Sequence, residues 1–186
     1  MRRLVEESGW PIELATSAAL EAYRGNLRYF DALMDMIAAE EAFSGGVVVV
    51  AAAGNESRRA ENPEFEIAVS LPAAAERVVS VGALGQADGA LAIAPFSNTF
   101  PVIAGPGVRI ESARTGGGTS LKSGTSMATP HVAGVAALWW QSARQGAIPA
   151  NATTVTAKLL ATARTDVFVP GTDVSDRGVG LVAAPS

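Results

Sequence analysis

Apolar residues recur at two different spacings along the chain, and each spacing predicts a different kind of element. Between residues 26 and 43 they fall three and four positions apart, with charged residues on the other side, which predicts an amphipathic helix. Ser44-Gly45-Gly46 ends that helix. Residues 47–53 are then continuously apolar, the pattern of a strand that is covered on both faces. A helix, a glycine turn and a buried strand make half of a βαβ unit.

Two more strands follow the first one. Residues 77–83 are a second apolar, β-branched run, and residues 102–104 are a shorter third one. Asp88-Gly89 predicts a tight turn, and the glycines at 116–118 predict a flexible loop. These buried runs favour a three-layer α/β fold in which a mostly parallel β-sheet is flanked by helices.

The last third of the chain is predicted to be mainly helical. Residues 125–145 are apolar nearly all round, which is typical of a central, buried helix. A final helix over about residues 152–164 follows the candidate N-cap Asn151. Residues 1–25 contain the breakers Pro11 and Gly25 and receive no assignment.

Composition narrows the class of protein. The chain has 186 residues, of which 48% are hydrophobic and 17% charged, so it is long enough and apolar enough for one folded domain. A net charge of −4 argues against nucleic acid as a partner, and no apolar run is long enough to cross a membrane. The absence of cysteine excludes disulfides and thiolate metal sites, and no other metal-ligand cluster is visible. No apolar signal core follows the basic start of the chain.

The strongest chemical signal is the string SGTSMATPHVAG at residues 123–134, in which a glycine-containing loop delivers Ser126 to the start of the buried helix. Free N–H groups at a helix N-terminus stabilise negative charge that develops beside such a hydroxyl. A single hydroxyl residue in that position is more often a plain helix cap. All twelve positions together, however, closely resemble the signature around the catalytic serine of the subtilisin-like (S8) serine proteases.

The resemblance to this family extends over residues 26–183, so residues 1–186 are interpreted as a single partial peptidase domain with an unassigned leader at 1–25. It implies that Ser126 is the nucleophile and that Asn55 donates its side-chain amide to the oxyanion, with the Ser126 N–H as second donor. Ala52-Ala53-Gly54 resembles the floor of the family's substrate pocket, where small residues leave room for a large apolar side chain. Other similar segments are Leu71-Pro72-Ala73, where the bond before proline is often cis in the family, Phe96-Ser97-Asn98, Gly105-Pro106-Gly107-Val108 and Gly178 to Val182.

The base that a serine nucleophile needs is not evident in this sequence. The only histidine is His131, and five helical steps turn it about 140° away from Ser126, so it is interpreted as a structural residue. In this family the order is Asp, His, Ser, yet no histidine precedes Asn55 and neither the His-Gly-Thr nor the Asp-Thr/Ser-Gly motif is present. The α/β-hydrolase alternative fails because the string is Gly-x-Ser-x-Ala and its partners would have to follow the serine.

The N-terminal part of the catalytic domain is therefore expected to be missing, and the chain alone is expected to be inactive. Three hypotheses stay open: the C-terminal part of a serine endopeptidase that hydrolyses peptide bonds, a non-catalytic remnant that binds peptides, and a half-domain that assembles with a complementary N-terminal half. A peptide or protein substrate is the expected partner. No cofactor is predicted, since calcium is suggested by the family but not by this sequence. The family also suggests an extracellular location.

Overall fold

The computed structural model describes residues 5–6, 9–146 and 148–185. Its first long element is helix α1, Ile12–Ala39, followed by the single turn α2, Glu41–Ser44. The prediction of one helix over 26–43 was wrong about its start. Gly25 lies inside α1, where nothing is within 4 Å of the position a Cβ would occupy. A glycine in an exposed helix interior costs only about 1 kcal/mol relative to alanine, which is too little to end a helix of this length.

The sheet is built around one long central strand. It comprises β1 (Val50–Ala52), β2 (Val79–Ala87), β3 (Ala90–Ile93) and β4 (Ile103–Pro106). The pairs β1–β2 and β2–β4 are parallel, while β3 returns antiparallel along the second half of β2. The three predicted strands and the tight turn are present, but the first strand is shorter than the predicted 47–53. The prediction that it is covered on both faces was wrong, because its residues are only half-buried and Val47 before it is exposed. Asp88 and Gly89 both have positive φ, 47° and 81°, and close the β2–β3 hairpin.

A second, two-stranded sheet was not predicted. Strands β5, Ile110–Ala113, and β6, Thr119–Lys122, pair antiparallel across the glycine loop at 116–118. Both strands are short and largely exposed, so they carry no apolar alternation that a sequence pattern could reveal.

Helices cover both faces of the main sheet, as the predicted three-layer fold requires. Helices α3, Thr125–Gln145, and α4, Ala152–Ala161, contribute to one core, in which Val132 and Leu159 pack with Val81 of β2. On the opposite face, Met34 of α1 packs with Val78. The predicted cap of α4 is confirmed, because the Asn151 Oδ1 accepts a hydrogen bond of 2.8 Å from the Thr154 N–H. A last turn, α5, spans Val174–Arg177.

Helix α3 is buried on one side only, which corrects the prediction of burial all round. Ala128, Val132 and Ala136 face the sheet and are buried. Ala133, Gly134, Ala137 and Leu138 are exposed, and the Leu138 side chain keeps 46% of its accessible surface. The described residues place the sheet and α4 against one side of α3 and leave the other side uncovered, although the sequence is apolar there as well.

The last residues of the described chain are tied onto β4. The Ala104 N–H donates to the Gly180 carbonyl at 2.9 Å, and the Val182 N–H donates to the Ala104 carbonyl at 3.0 Å. Leu181 bonds in turn to Arg164 through both backbone groups. This C-terminal strap therefore covers the edge of β4 that does not face β2. Among the described helices, none has the length and apolarity that crossing a membrane demands.

Candidate active site

Ser126 lies in the first turn of α3, directly after the loop that ends at Gly124. Its side chain is exposed, and within the described part of the chain its Oγ has no hydrogen-bond partner. Its N–H belongs to the first helical turn, where an amide has no acceptor inside the helix. The hydroxyl and a free amide N–H are thus offered together at the positive end of a 21-residue helix.

Asn55 is held against the residue that precedes Ser126. The Asn55 Oδ1 accepts two hydrogen bonds from Thr125, one from its N–H at 2.8 Å and one from its Oγ1 at 3.1 Å. Because Oδ1 is engaged in this way, the orientation of the amide is set and the Nδ2 group is directed away from Thr125. Among the described residues, Nδ2 has no acceptor. The structure thus brings both predicted residues to one place, although 71 positions separate them in the sequence.

Thr125 is a site residue that sequence reasoning missed. It is completely buried, and besides its two bonds to Asn55 its Oγ1 accepts a hydrogen bond of 3.2 Å from the Gly54 N–H. One hydroxyl therefore joins the loop after β1 to the start of α3. Its place immediately before the candidate nucleophile was the only signal in the sequence.

A second missed residue is Asn98, which is completely buried. Its Oδ1 accepts from the backbone N–H groups of Glu56 at 3.0 Å and Ser57 at 3.1 Å. Its Nδ2 lies 3.2 Å from the carbonyl oxygen of Ala53 and 2.7 Å from the Glu56 carboxylate. Asn98 thus forms hydrogen bonds to the backbone on both sides of Asn55. The sequence offered Asn98 only as part of a segment similar to the family.

The three predicted pocket residues run from Ala52, the last residue of β1, into the loop that carries Asn55. Ala53 is buried and its carbonyl accepts a hydrogen bond of 2.8 Å from the Ser70 N–H, while Ala52 and Gly54 are half-buried. Gly54 has a φ of 114°, and a Cβ there would lie 2.3 Å from the Asn98 Nδ2, so only glycine fits. The Leu71–Pro72 bond is cis, as the resemblance suggested. The role of residues 52–54 in binding substrate stays a prediction.

His131, the one histidine of the chain, is engaged within its own helix. Its Nδ1 lies 2.9 Å from the carbonyl oxygen of Met127, which as an acceptor requires the proton on Nδ1. This contact agrees with the structural role that was predicted for His131. A metal centre is not evident either, since no group of three or more His, Cys, Asp or Glu side chains converges within the described ranges.

An ion pair fastens the polar loop that follows Asn55. Arg59 contacts Asp176 of α5 at 2.5 Å and Glu66 at 3.1 Å, and its Nη1 also donates to the Ser97 carbonyl. Burial raises the pKa of the Asp176 carboxyl above its usual range, because the loss of water outweighs the attraction of Arg59. The Arg59 guanidinium also forms an ion pair with Glu66, which weakens its effect on Asp176. The negative charge of Glu66 in addition opposes ionisation of Asp176.

The sequence that carries Asn55 and Ser126 matches a known protein family. The model of the subtilase family, peptidase S8, matches residues 16–181. The chain belongs to the subtilase family. The predicted family and the predicted α/β subtilisin-like fold, present in part, are thereby confirmed.

Individual subtilases show how much of a relative's length this chain matches. The chain is 48% identical over 99 residues to a thermophilic serine proteinase of Bacillus sp. (strain AK1), covering 52% of this chain and 22% of that protein. It is 41% identical over 99 residues to the subtilisin of Bacillus pumilus, covering 53% of this chain and 34% of that one. The chain thus matches between about a fifth and a third of the length of these two relatives.

Solved structures give the same picture. The prenylagaramide maturation protease PagA is similar with a TM-score of 0.60 and 31% identity, over 74% of this chain and 48% of that one. The patellamide maturation protease PatA is similar with a TM-score of 0.57 and 32% identity, over 74% of this chain and 48% of that one. About half of each protease therefore has no counterpart in the present chain.

Proposed function

We propose that this chain is the nucleophile-bearing part of a subtilisin-class serine endopeptidase. The observation that carries the proposal is the tether between Asn55 and Thr125. It engages Oδ1 through bonds of 2.8 and 3.1 Å to the residue before the exposed Ser126, and among the described residues it leaves Nδ2 without an acceptor. An amide that was only a turn residue would have no need of this orientation. A donor for an oxyanion needs it.

In the proposed reaction the Ser126 Oγ attacks the carbonyl carbon of the scissile peptide bond while a base removes its proton. The Asn55 Nδ2 and the Ser126 N–H donate to the oxyanion of the tetrahedral intermediate. Collapse of that intermediate expels the amine, which takes up the proton, and leaves an acyl ester on Ser126. Water then hydrolyses the ester and restores the hydroxyl.

The base must come from residues outside this chain, because the ring of His131 is turned to Met127. In subtilisin itself, loss of the histidine lowers kcat by about 10⁶-fold, whereas the oxyanion hole and substrate binding retain about 10³–10⁴-fold over water. We therefore expect the isolated chain to have negligible endopeptidase activity. A complementary N-terminal half is the partner that would supply the base and its orienting carboxylate. A peptide or protein is the proposed substrate.

The test is active-site labelling of Ser126 with a fluorophosphonate, with Ser126→Ala as the blank. The pure chain should label slowly, and the chain joined to the N-terminal part of a subtilase catalytic domain should label rapidly. In that joined protein, Asn55→Ala should lower kcat by about 10²–10³-fold, the effect of losing such a donor in subtilisin. Rapid labelling of the pure chain would contradict the inferred lack of a base.

The competing hypothesis is a non-catalytic remnant that binds peptides or a partner chain. It predicts that labelling stays slow in the joined protein, while peptides still bind. Genomic sequence upstream of residue 1 gives an independent check. In-frame codons for the Asp-Ser/Thr-Gly and His-Gly-Thr motifs would support the protease, and their absence would favour the remnant.

A further inference from the structure

The Arg59 side chain joins three separate parts of the chain. Its Nη2 lies 2.5 Å from the Asp176 carboxylate of α5, its Nε lies 3.1 Å from the Glu66 carboxylate, and its Nη1 donates to the Ser97 carbonyl. The Arg59 N–H adds a bond of 3.1 Å to the carbonyl oxygen of Pro95. The side chains of Arg59 and Asp176 keep only 13% and 17% of their accessible surface. A guanidinium carries its donors in a rigid fork, so these contacts fix its position.

The Ser97 carbonyl is the contact that connects Arg59 with the candidate site. Ser97 is completely buried, and its Oγ accepts a hydrogen bond of 3.0 Å from the Ala83 N–H of β2. Among the described residues, Arg59 is the only donor to the Ser97 carbonyl. Because a buried carbonyl needs a donor, loss of the Arg59 side chain would leave the main chain at Ser97 free to rearrange.

Asn98, which directly follows that carbonyl, holds the main chain on both sides of Asn55. Its Oδ1 accepts hydrogen bonds from the N–H groups of Glu56 and Ser57. Its own N–H donates to the Gly54 carbonyl at 3.2 Å. A displacement of the carbonyl that the guanidinium binds would therefore be passed to the bonds that set the backbone of Asn55.

We propose that Arg59 is a positioning residue for the oxyanion donor Asn55, and that α5 takes part through Asp176. The inference rests on the proposed function, in which the Asn55 Nδ2 donates to the oxyanion. Thr125 orients the side-chain amide of Asn55, whereas Arg59 acts through Asn98 on the main chain that carries it. A donor of this kind stabilises the transition state only when it is aimed at the charge that develops there, so a small displacement of Asn55 lowers the rate.

The neighbouring Arg58 provides a matched control. Its side chain keeps 69% of its accessible surface, and its ion pair to Glu61 measures 3.7 Å. An exposed pair of this kind contributes little to stability. Among the described residues, the Arg58 side chain bonds to neither Ser97 nor Asp176. Arg58→Ala therefore removes the same charge from the same loop without touching the proposed link.

The first measurement follows the side-chain amide of Asn55 by NMR in the isotope-labelled chain, where Asn55→Ala identifies its resonances. Arg59→Ala and Asp176→Ala should each shift these resonances by more than their line width, and Arg58→Ala should not. Arg59→Lys keeps the charge but cannot serve three acceptors at once, so it should produce a smaller shift, and it decides the test if Arg59→Ala does not fold. Resonances that stay in place in the Arg59 variants, or that move equally in Arg58→Ala, would overturn the proposal.

The second measurement is a double-mutant cycle in the chain joined to the N-terminal part of a subtilase catalytic domain. There Arg59→Ala should lower kcat by about 10- to 100-fold with little change in KM, the loss expected when a catalytic group is slightly misplaced. In an Asn55→Ala background the same substitution should cost less than about 3-fold, because the donor that Arg59 positions is gone. Arg59→Lys should recover part of kcat. Equal losses in both backgrounds would give Arg59 a purely structural role and would overturn the proposal.

The two measurements separate this proposal from the proposed function. If Ser126 of the joined protein resists the fluorophosphonate while the Asn55 resonances respond to Arg59→Ala, the proposed function is rejected and the link between Arg59 and Asn55 stands. If Ser126 is labelled rapidly while Arg59→Ala changes neither the resonances nor kcat, the function stands and the positioning role is rejected.

Discussion

Asn98→Ala tests whether one buried amide organises the loop that carries Asn55. The substitution removes the acceptor for the N–H groups of Glu56 and Ser57, of which Ser57 is buried. A buried donor left without a partner costs about 1–3 kcal/mol, so the loss at Ser57 should lower the free energy of unfolding by about that amount, with a smaller loss at the exposed Glu56. That is a large share of the total of about 5–15 kcal/mol that is typical of a folded domain.

The assay is urea unfolding followed by far-UV circular dichroism, with the midpoint and slope compared between variants. Asn62→Ala is the matched control, because the Asn62 Oδ1 accepts a single bond from Glu64 in an exposed loop. We expect that control to cost less than about 1 kcal/mol. Equal costs for the two variants would refute the role given to Asn98.

A conservative variant sharpens the test. Asn98→Asp keeps the acceptor toward Glu56 and Ser57 but loses the donor, and it sets a second carboxylate where Nδ2 now lies 2.7 Å from the Glu56 carboxylate. The variant should be destabilised at neutral pH and should recover as the pH falls through the range in which carboxylates take up protons. If the stability of this variant varied with pH in the same way as that of the wild type, the contact between position 98 and Glu56 would contribute nothing to stability.

Three further predictions use the same unfolding assay. Thr125→Val should cost about 1–3 kcal/mol, because the Gly54 N–H loses its acceptor, and a neutral result would contradict that bond. The pKa of Asp176 is raised in the folded protein, so its protonation favours the folded state. This contribution to the free energy of unfolding is fully present below the unfolded pKa of about 3.9 and is lost as the pH rises through the folded pKa. The wild type should therefore lose stability relative to Asp176→Asn over that pH interval. A gain would show that Arg59 dominates. Asn151→Ala should cost about 1 kcal/mol by uncapping α4, and Asn151→Asp should restore most of it.

The elements that could be predicted are those with strong local signals. Helix α3 begins and ends where the sequence placed it, because Gly124 precedes it and Gly146 follows it. The start of helix α1 was predicted too late in the sequence. A helix-breaking residue such as Gly25 destabilises the helix by less free energy than the residues around it contribute. The exposed side of α3 could not be predicted. A helix that is apolar all round does not indicate which of its sides is covered by neighbouring elements.

The residues of the candidate site likewise fall into two groups, those that the sequence could predict and those that it could not. Ser126 and Asn55 each lie in a string that resembles the family, so both could be named from the sequence. Thr125 and Asn98 act through contacts with residues about 40 to 70 positions away, such as the bond that Asn98 accepts from Glu56 and the bond that Thr125 donates to Asn55. Contacts over such distances depend on the tertiary fold, and no pattern in a single sequence contains them.

The C-terminal strap makes this fold sensitive to the direction of protein synthesis. Ala104 of β4 bonds to Gly180 and Val182, which are made 76 and 78 residues later. At about 5–20 residues per second, a ribosome needs roughly 4–15 seconds to cover that distance. If β4 has left the ribosome by then, one of its edges has no partner during those seconds. The nascent chain would then expose an unpaired strand to chaperones or to other chains being made on the same mRNA.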